Sequence, residues 1–304
     1  MKAADQSGGF ASTVTGPIKR LADGFGFAES PRWHDGRLWV SDLALRRVSA
    51  IAEDGSVETV CELNDRPSGL GWLPDGTLLV VSMYDRVLLR LTSAGLEPHI
   101  DLSGIPDITV LNDMVVARDG RAYIGNPGTT QVGTPGSGSD TATYPTGIIV
   151  VSPDGTSGEM HYRDLSGPNG SAITPDGREF LVAETRLGRV SVLDLAADGQ
   201  LGERSTFGTL SAGSWADGMC LDAEGAVWVA DPINQRCVRM LRGGEVTDVI
   251  DTSPVPTVAC MLGGPDGCTL YLVVQPFQSH ERNAEARQGR IEMIRVTVPG
   301  AGLP

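Results

Sequence analysis

The sequence has few of the residues that several common hydrolytic chemistries require. Its 304 residues include only four histidines, and it contains no HExxH, GxSxG or CxxC motif. These absences disfavour a zinc site with histidine or cysteine ligands and an α/β-hydrolase with a serine nucleophile. The five cysteines are irregularly spaced, which indicates reduced thiols in a cytoplasmic protein rather than a disulfide framework.

Basic residues and long apolar runs are also scarce. The 24 Lys and Arg residues face 38 Asp and Glu residues, which gives a formal charge of -14. Such a chain lacks the basic surface that binds nucleic acid or an anionic membrane. No run of about 18 apolar residues occurs, and the first 16 residues contain no signal-peptide core. We therefore expect a cytoplasmic protein with a flexible N-terminal segment over residues 1–16.

Helical periodicity is weak, whereas turn residues are abundant. The 39 glycines and 19 prolines separate short runs rich in Val, Leu and Ile. This composition favours many strands that are joined by tight turns.

One turn pattern recurs through the whole chain. An acid followed by glycine stands between two β-runs six times, with the acid at positions 35, 75, 119, 176, 224 and 266. Acid-glycine turns are strong hairpin signals because glycine adopts the positive φ that the turn needs. Six units of four strands predict an all-β, six-bladed β-propeller over residues 17–298, with a tail over 299–304. Two packed sandwiches match the strand count but do not explain a single repeat.

Two units carry extra residues. Gln131–Gly147 is rich in Gly, Ser and Thr, and is expected to be either a lid over the channel or a plain flexible loop. Gln278–Gln288 is a second, more polar extension. Four tryptophans lie on β-runs and are expected to pack between blades: Trp33, Trp39, Trp72 and Trp228.

The first strand of each blade lines the axis of a propeller, so equivalent positions form a ring. Counting back seven residues from the turn acid gives Ser68, Asn112, Asn169, Asp217 and Ala259. In the first unit the connection is taken as one residue shorter, and counting back six gives Glu29. Oxygen-bearing side chains that converge without partners are costly, and Ca²⁺ binds such oxygens. A cation site is therefore one interpretation, and polar capping of strand bends is the other. Gly170 and Gly218 would allow close backbone approach beside the ring.

The same residues carry a family resemblance. The segments FAESPRWHDGRLWVSD, LNDMVVARDGRAYIGN, GPNGSAITPDGREFLVAET, WADGMCLDAEGAVWVAD and PTVACMLGGPDGCTLYLV resemble the senescence marker protein, gluconolactonase and luciferin-regenerating enzyme family of six-bladed propellers. The resemblance extends over residues 22–298.

The resemblance implies a function and a set of ligands. Members of the family hold one divalent metal on the axis, and most are lactonases. The matching ligands are Glu29, Asn169 and Asp217, while Asn112 completes the metal shell or contacts substrate, with Asp113 in support. We expect Ca²⁺, with Zn²⁺, Mn²⁺ and Mg²⁺ as alternatives, and a monomer or weak homodimer.

One departure from the family pattern concerns the substrate. Sugar lactonases often carry an arginine two residues before the asparagine that matches Asn112, and here that position is Val110. The substitution favours a lactone or ester that is less polar than a sugar lactone. Met114 and Tyr144 are further candidates for an apolar wall, and Trp215 is a candidate for the pocket wall.

The expected reaction is metal-assisted hydrolysis of a lactone or related cyclic ester by an activated water. Asp217 is the candidate general base. Because a cation weakens the basicity of its own ligand, Glu184 is a second candidate for the proton, or else a surface acid at a strand end. A metal-dependent lyase or isomerase, and a propeller that binds without catalysis, are the alternative functions.

Overall fold

The computed structural model describes residues 12–128 and 146–303. In these residues, 24 strands form six four-stranded antiparallel sheets. The innermost strands contact one another in cyclic order and return to the first. The predicted six-bladed β-propeller is confirmed.

The chain forms the blades in sequence order. It starts with β1 (Val14–Phe25). Blade 1 contains β2 (Ala28–His34), β3 (Arg37–Asp42), β4 (Arg47–Ile51) and β5 (Val57–Glu62). Blade 2 contains β6 (Pro67–Trp72), β7 (Leu78–Ser82), β8 (Val87–Thr92) and β9 (Gly95–Asp101). Blade 3 contains β10 (Met114–Val116), β11 (Ala122–Asn126), β12 (Gly147–Val151) and β13 (Gly158–Arg163).

Blades 4 to 6 follow the same plan. Blade 4 contains β14 (Pro168–Ile173), β15 (Glu179–Glu184), β16 (Arg189–Leu195) and β17 (Leu201–Thr209). Blade 5 contains β18 (Met219–Leu221), β19 (Val227–Asp231), β20 (Arg236–Met240) and β21 (Val246–Asp251). Blade 6 contains β22 (Thr257–Gly263), β23 (Thr269–Val274) and β24 (Gly289–Val296) from the end of the chain, and β1 is its fourth strand.

Strand β1 closes the ring of blades. It pairs antiparallel with β24, with Val14 opposite Val296. The first and last strands of the propeller are thus held together by one backbone ladder. The propeller begins at this strand, three residues before the predicted boundary at residue 17.

The acid-glycine turns form the predicted hairpins between the first and second strands of the blades. All six glycines that follow the turn acids have positive φ, between 70° and 91°. These hairpins lie at the end of the inner strands opposite the ring positions.

The tail crosses this hairpin end of the propeller. Its backbone bonds to the ends of three inner strands, through Gly267 beyond β22, Leu221 on β18 and Ile173 on β14. The segment Pro299–Leu303 therefore lies across the end of the channel that is distant from the ring.

The tryptophans pack between blades as predicted. Trp33 of blade 1 stacks on Tyr271 of blade 6, with ring centroids 5.6 Å apart. Trp39 of blade 1 meets Trp72 of blade 2 edge-on at 5.3 Å. Trp228 of blade 5 is fully buried in the apolar cluster shared with blade 6.

Two short helical elements lie outside the sheets. A 3₁₀ turn spans Thr185–Leu187, and helix α1 spans His280–Ala286 within the polar extension of blade 6. The Ser279 hydroxyl caps α1 by accepting from the Arg282 N–H. The predicted lid or loop over 131–147 lies almost entirely outside the described residues. No helix in the described parts of the chain is long and apolar enough to cross a membrane.

Glycines allow the inner strands to approach one another beside the ring. A Cβ on Gly218 would lie 2.5 Å from the Cβ of Ala259, and one on Gly170 would lie 2.5 Å from the backbone N of Met219. Both distances are shorter than van der Waals contact. The predicted close approach at Gly170 and Gly218 is confirmed.

Substitution of Gly218 tests this packing. We expect Gly218→Ala to lower the free energy of unfolding by about 1–3 kcal/mol, because the added methyl group overpacks the contact with blade 6. Gly104→Ala is the matched control, since a Cβ there meets no atom within 4 Å. Urea denaturation of both variants measures the difference, and equal stabilities would contradict the assigned contact.

Candidate metal centre

The six ring positions lie at one end of the inner strands. They comprise Glu29, Ser68, Asn112, Asn169, Asp217 and Ala259. In blades 1, 2, 4 and 6, the ladder between the first two strands has a register shift at or directly beside this position. A β-bulge turns a side chain away from the regular alternation of a strand. The bulges therefore provide a local reason why these side chains leave the sheet faces.

Asn169 and Asp217 meet directly although 48 residues separate them. The Asn169 amide donates from Nδ2 to Asp217 Oδ1 at 2.5 Å. Asp217 is 7% exposed and Asn169 is half-buried. No described residue donates a hydrogen bond to Asn169 Oδ1. The donation from Nδ2 thus leaves the amide oxygen, the atom that binds cations, available.

Three acids repel one another at this end of the axis. Burial, followed by the charges of Asp217 and Asp113, raises the pKa of Glu29 well above its ordinary value, against the Ser30 N–H and Arg32. Burial and then the charge of Asp113 raise the pKa of Asp217 to about 8, against the hydrogen bond from Asn169. Glu29 and Asp217 come from blades 1 and 5, so the structure brings together acids that are far apart in sequence.

Asn112 is held beside the same cluster. Its Oδ1 accepts from the Ser68 hydroxyl at 3.2 Å, and its backbone carbonyl accepts from the Gly69 N–H at 3.2 Å. A carbonyl oxygen has two lone pairs, so this hydrogen bond leaves Asn112 Oδ1 able to accept another partner. Blades 2 and 3 therefore fix the position of the Asn112 side chain.

Asp113 pairs with an arginine that the sequence analysis missed. Arg32 is 3% exposed, and its Nη2 donates to Asp113 Oδ1 at 2.6 Å. The same Oδ1 accepts from the Met114 N–H at 2.8 Å. The signal was available in ESPRW, where a charged residue interrupts an inner strand that the propeller must bury.

Glu184 has a different role from either predicted one. It is fully buried, neither a surface acid nor a free base. One oxygen accepts from Arg189 at 2.6 Å and from the Ser191 hydroxyl, while the other accepts from the Ser166 N–H at 2.9 Å. With both oxygens engaged, this carboxylate ties β15 to β16 and to the loop before blade 4.

The other predicted substrate residues differ in placement. Val110 and Trp215 are half-buried and each precedes a ring residue by two positions. Met114 is fully buried between blades 2 and 3, with its Cβ against Gly69, so it is not accessible to a substrate in this structure. Tyr144 lies outside the described residues.

Aromatic side chains from blades 1 and 6 flank the ring, and the sequence analysis did not identify them. Phe27, two residues before Glu29, lies 6.2 Å from Phe277 and 5.8 Å from His280, measured between ring centroids. The start of the polar extension of blade 6 therefore contacts blade 1 at Phe27. Its high content of charged residues concealed this contact at the sequence level.

The cluster has the chemistry of a site for a hard cation. In the described residues, neither Glu29 nor Asp217 has an arginine, lysine or histidine within salt-bridge distance. A buried and a half-buried acid without a salt-bridge partner are costly, and a divalent cation would neutralise them. No three His, Cys, Asp or Glu side chains in residues 12–128 and 146–303 meet at metal-ligand spacing. A complete shell therefore needs the amide oxygens of Asn112 and Asn169, which suit Ca²⁺ better than Zn²⁺.

A cleft on the hairpin face lacks such unpaired charge. It lies between blades 4 and 5, and its lining includes Glu179, Asp222 and Arg242. Arg242 pairs with Glu179 at 2.5 Å, and Asp222 pairs with Arg239 at 2.7 Å. Because these charges are matched, the axis rather than this cleft is the candidate functional site.

Comparisons with known proteins identify the family and the fold. The family model described as the SMP-30/gluconolactonase/LRE-like region matches residues 27–275. An X-ray structure provisionally described as a gluconolactonase is 25% identical, with a TM-score of 0.74 and 93% of each chain covered.

Two further solved structures are similar in fold. A gluconolactonase from Xanthomonas campestris is 20% identical, with a TM-score of 0.72, and the match covers 92% of this chain and 89% of that one. The calcium-binding protein regucalcin from Agrobacterium tumefaciens is 20% identical, with a TM-score of 0.75 and 97% of each chain covered.

The raised pKa values predict that the stability of the protein depends on pH when a chelator keeps it free of metal. Between the unfolded pKa of an Asp and about 8, the folded protein binds more protons at Asp217 than the unfolded chain does. The free energy of unfolding should therefore fall as pH rises through this window. Between pH 5 and pH 8, we expect the free energy of unfolding of Asp217→Asn to fall less than that of the wild type, by on the order of 2 kcal/mol.

Denaturation of the wild type and Asp217→Asn at both pH values, in the presence of EDTA, measures this difference. Saturating Ca²⁺ should reverse the loss in the wild type, since a bound cation stabilises the ionised carboxylates. Parallel pH profiles of the two proteins in EDTA would contradict the assigned burial of charge at Asp217.

Proposed function

The chain belongs to the SMP-30/gluconolactonase/LRE-like family, and from this membership and the axial cluster we propose that it is a metal-dependent lactonase. Its substrate is a small lactone or related cyclic ester. The main support within the chain is the convergence of Glu29, Asn169 and Asp217, from three blades, on one end of the axis, where neither described acid has a salt-bridge partner. The similar fold of proteins described as gluconolactonases adds support.

Four side chains would hold the cation: Glu29, Asn112, Asn169 and Asp217. The calcium-binding relative and the all-oxygen donor set both favour Ca²⁺. When bound, the cation polarises the lactone carbonyl and stabilises the negative charge that develops on its oxygen. Two carboxylates and two amides make this a site that neutralises the ion while keeping it accessible from the channel.

Asp217 takes the proton of the attacking water in this proposal. Its Oδ1 is oriented by the Asn169 amide, which leaves Oδ2 without a hydrogen bond to any described residue. Burial and the neighbouring acid raise its pKa, which favours proton acceptance near neutral pH, while the cation acts in the opposite direction. Glu184 is unsuited to this step because its oxygens are occupied by Arg189, Ser191 and Ser166.

The rim of the channel favours a substrate with little polar decoration. Val110 stands where sugar lactonases often carry an arginine. The Phe27–Phe277 pair, between blades 1 and 6, offers further apolar surface. A hydrocarbon ring or chain fits such a rim better than several hydroxyl groups, because buried hydroxyls need hydrogen-bond partners. Aliphatic and aromatic lactones are therefore the proposed class.

Loss of Asp217 tests the reaction. We expect Asp217→Ala to lower kcat for a lactone at least about 100-fold, since the variant lacks both the proton acceptor and a cation ligand. The circular dichroism spectrum should remain that of a β-protein. Asp176→Ala, which removes an exposed acid of the blade 4 hairpin, is the matched control and should retain activity.

Proton release measured in a pH-stat, with ¹⁸O-labelled water, separates the competing chemistries. Lactone hydrolysis releases one acid per turnover and incorporates one oxygen from water. Turnover without either signal would identify a lyase or isomerase. A wild-type protein that binds the cation but turns over no lactone of a broad panel would point to a binding propeller.

Restoring the arginine at position 110 tests the substrate class. The wild type should prefer aliphatic or aromatic lactones over gluconolactone, measured as kcat/KM. Val110→Arg should shift this preference towards gluconolactone by about tenfold, since a guanidinium offers hydrogen bonds to hydroxyl groups. Val110→Leu keeps the apolar character and is the control. A wild type that already prefers gluconolactone would contradict the proposed class.

A further inference from the structure

Arg32 is a buried cation beside the acid cluster. Its side chain starts on β2 of blade 1, and Nε donates to the Leu70 carbonyl of blade 2 at 3.2 Å. Nη1 donates to the Pro31 carbonyl at 2.8 Å, and Nη2 donates to the Met114 carbonyl at 2.5 Å and to Asp113 Oδ1 at 2.6 Å. These hydrogen bonds fix the guanidinium against three adjacent inner strands.

The position of Arg32 connects it electrostatically to the whole cluster. Its charge acts on Glu29, as does the charge of Asp113, and Asp113 also acts on Asp217. When these three carboxylates are ionised, the cluster contains three negative charges and one positive charge. The net charge is therefore −2, and without Arg32 it would be −3.

We propose that Arg32 is a positioning residue that holds Asp113 in place and sets the charge of the axial cluster at −2, so that it limits the preference of the site for trivalent over divalent cations. The inference rests on the proposed cation site. Oxygen-ligand sites bind ions of similar radius, such as Ca²⁺ and La³⁺, with little steric discrimination, which leaves charge as the property that separates them.

A purely structural arginine would behave differently. Its hydrogen bonds to three backbone carbonyls would contribute to stability, and its removal would weaken the binding of every cation to a similar degree. A residue that sets the charge changes the ratio of the affinities for ions of different charge. The ratio, rather than either affinity alone, therefore distinguishes the two roles.

The test changes the charge at two positions, Arg32 and Asp113, first singly and then together. Calorimetric titration of the metal-free protein with CaCl₂ and with LaCl₃ gives both dissociation constants for each variant. Arg32→Met takes the cluster charge to −3, and we expect it to raise the La³⁺ to Ca²⁺ affinity ratio about 10- to 100-fold, from one unit charge a few ångströms away at an effective dielectric constant of about 20. Asp113→Asn takes it to −1 and should lower the ratio by a similar factor.

The double variant is the decisive control. Arg32→Met with Asp113→Asn returns the cluster to −2 with an altered shape, so the ratio should return close to that of the wild type. A double variant that keeps the ratio of Arg32→Met would overturn the inference. If Arg32→Met does not fold, Asp113→Asn still tests the inference, because an unchanged ratio in that variant would overturn it.

The same titrations separate this inference from the proposed function. A wild type that binds neither Ca²⁺ nor La³⁺ would remove the cation site itself and the role of Arg32 with it. A wild type that binds both ions, with equal ratios in all variants, would overturn only the role of Arg32. Arg37→Met, at a partly exposed position on β3 that pairs with Glu58 at 2.7 Å, controls for a general change of charge.

Discussion

Two carboxylates from distant blades share one end of the propeller axis without a salt-bridge partner in the described residues, and the remaining features of the site follow from this. Glu29 and Asp217 lose hydration and repel each other, as their raised pKa values show. Stabilising interactions elsewhere in the fold must offset that cost. A protein that only needed a closed ring of blades could place apolar residues here, as blade 6 does at Ala259.

The blades resist the repulsion through contacts that leave little freedom to relax. Glycines beside the ring bring neighbouring inner strands into close contact, and β1 closes the ring by pairing with β24. A second set of buried polar residues lies at the end of the second strand of each blade, or directly after it in blade 6: Asp42, Ser82, Asn126, Glu184, Asp231 and Gln275. Several of these bond to the loop that leads into their own inner strand, as Asp231 does to the Trp215 N–H and Glu184 to the Ser166 N–H. The ring positions are therefore held by side-chain hydrogen bonds from the second strand of the blade, in addition to the backbone of their own strand.

The sequence was sufficient for the fold and for the ring because both are periodic. An acid-glycine turn in every blade fixes the register, and a constant count from the turn identifies Asn169 and Asp217 whatever the length of the outer loops, while Glu29 requires a count one residue shorter. Arg32 has no counterpart in the repeat, so only the spatial contact with Asp113, 81 residues away, reveals its role. The role of Glu184 was predicted wrongly for a related reason. The sequence suggests that an acid at the end of a strand is exposed, and only the structure shows that Arg189 and Ser191 donate hydrogen bonds to it.

The division between ring and rim indicates which properties of this protein can vary independently. Among the cation ligands, Glu29 and Asn169 lie in bulges of inner strands, while Asn112 and Asp217 lie shortly before inner strands. The residues that would contact substrate, such as Val110, Trp215 and Phe277, lie in the connections between strands, where changes disturb few packed contacts. Such a construction allows the acceptable lactone to change without altering the ligands that activate it. Fold and family membership therefore constrain the reaction more strongly than they constrain the substrate, which depends on the composition of the rim.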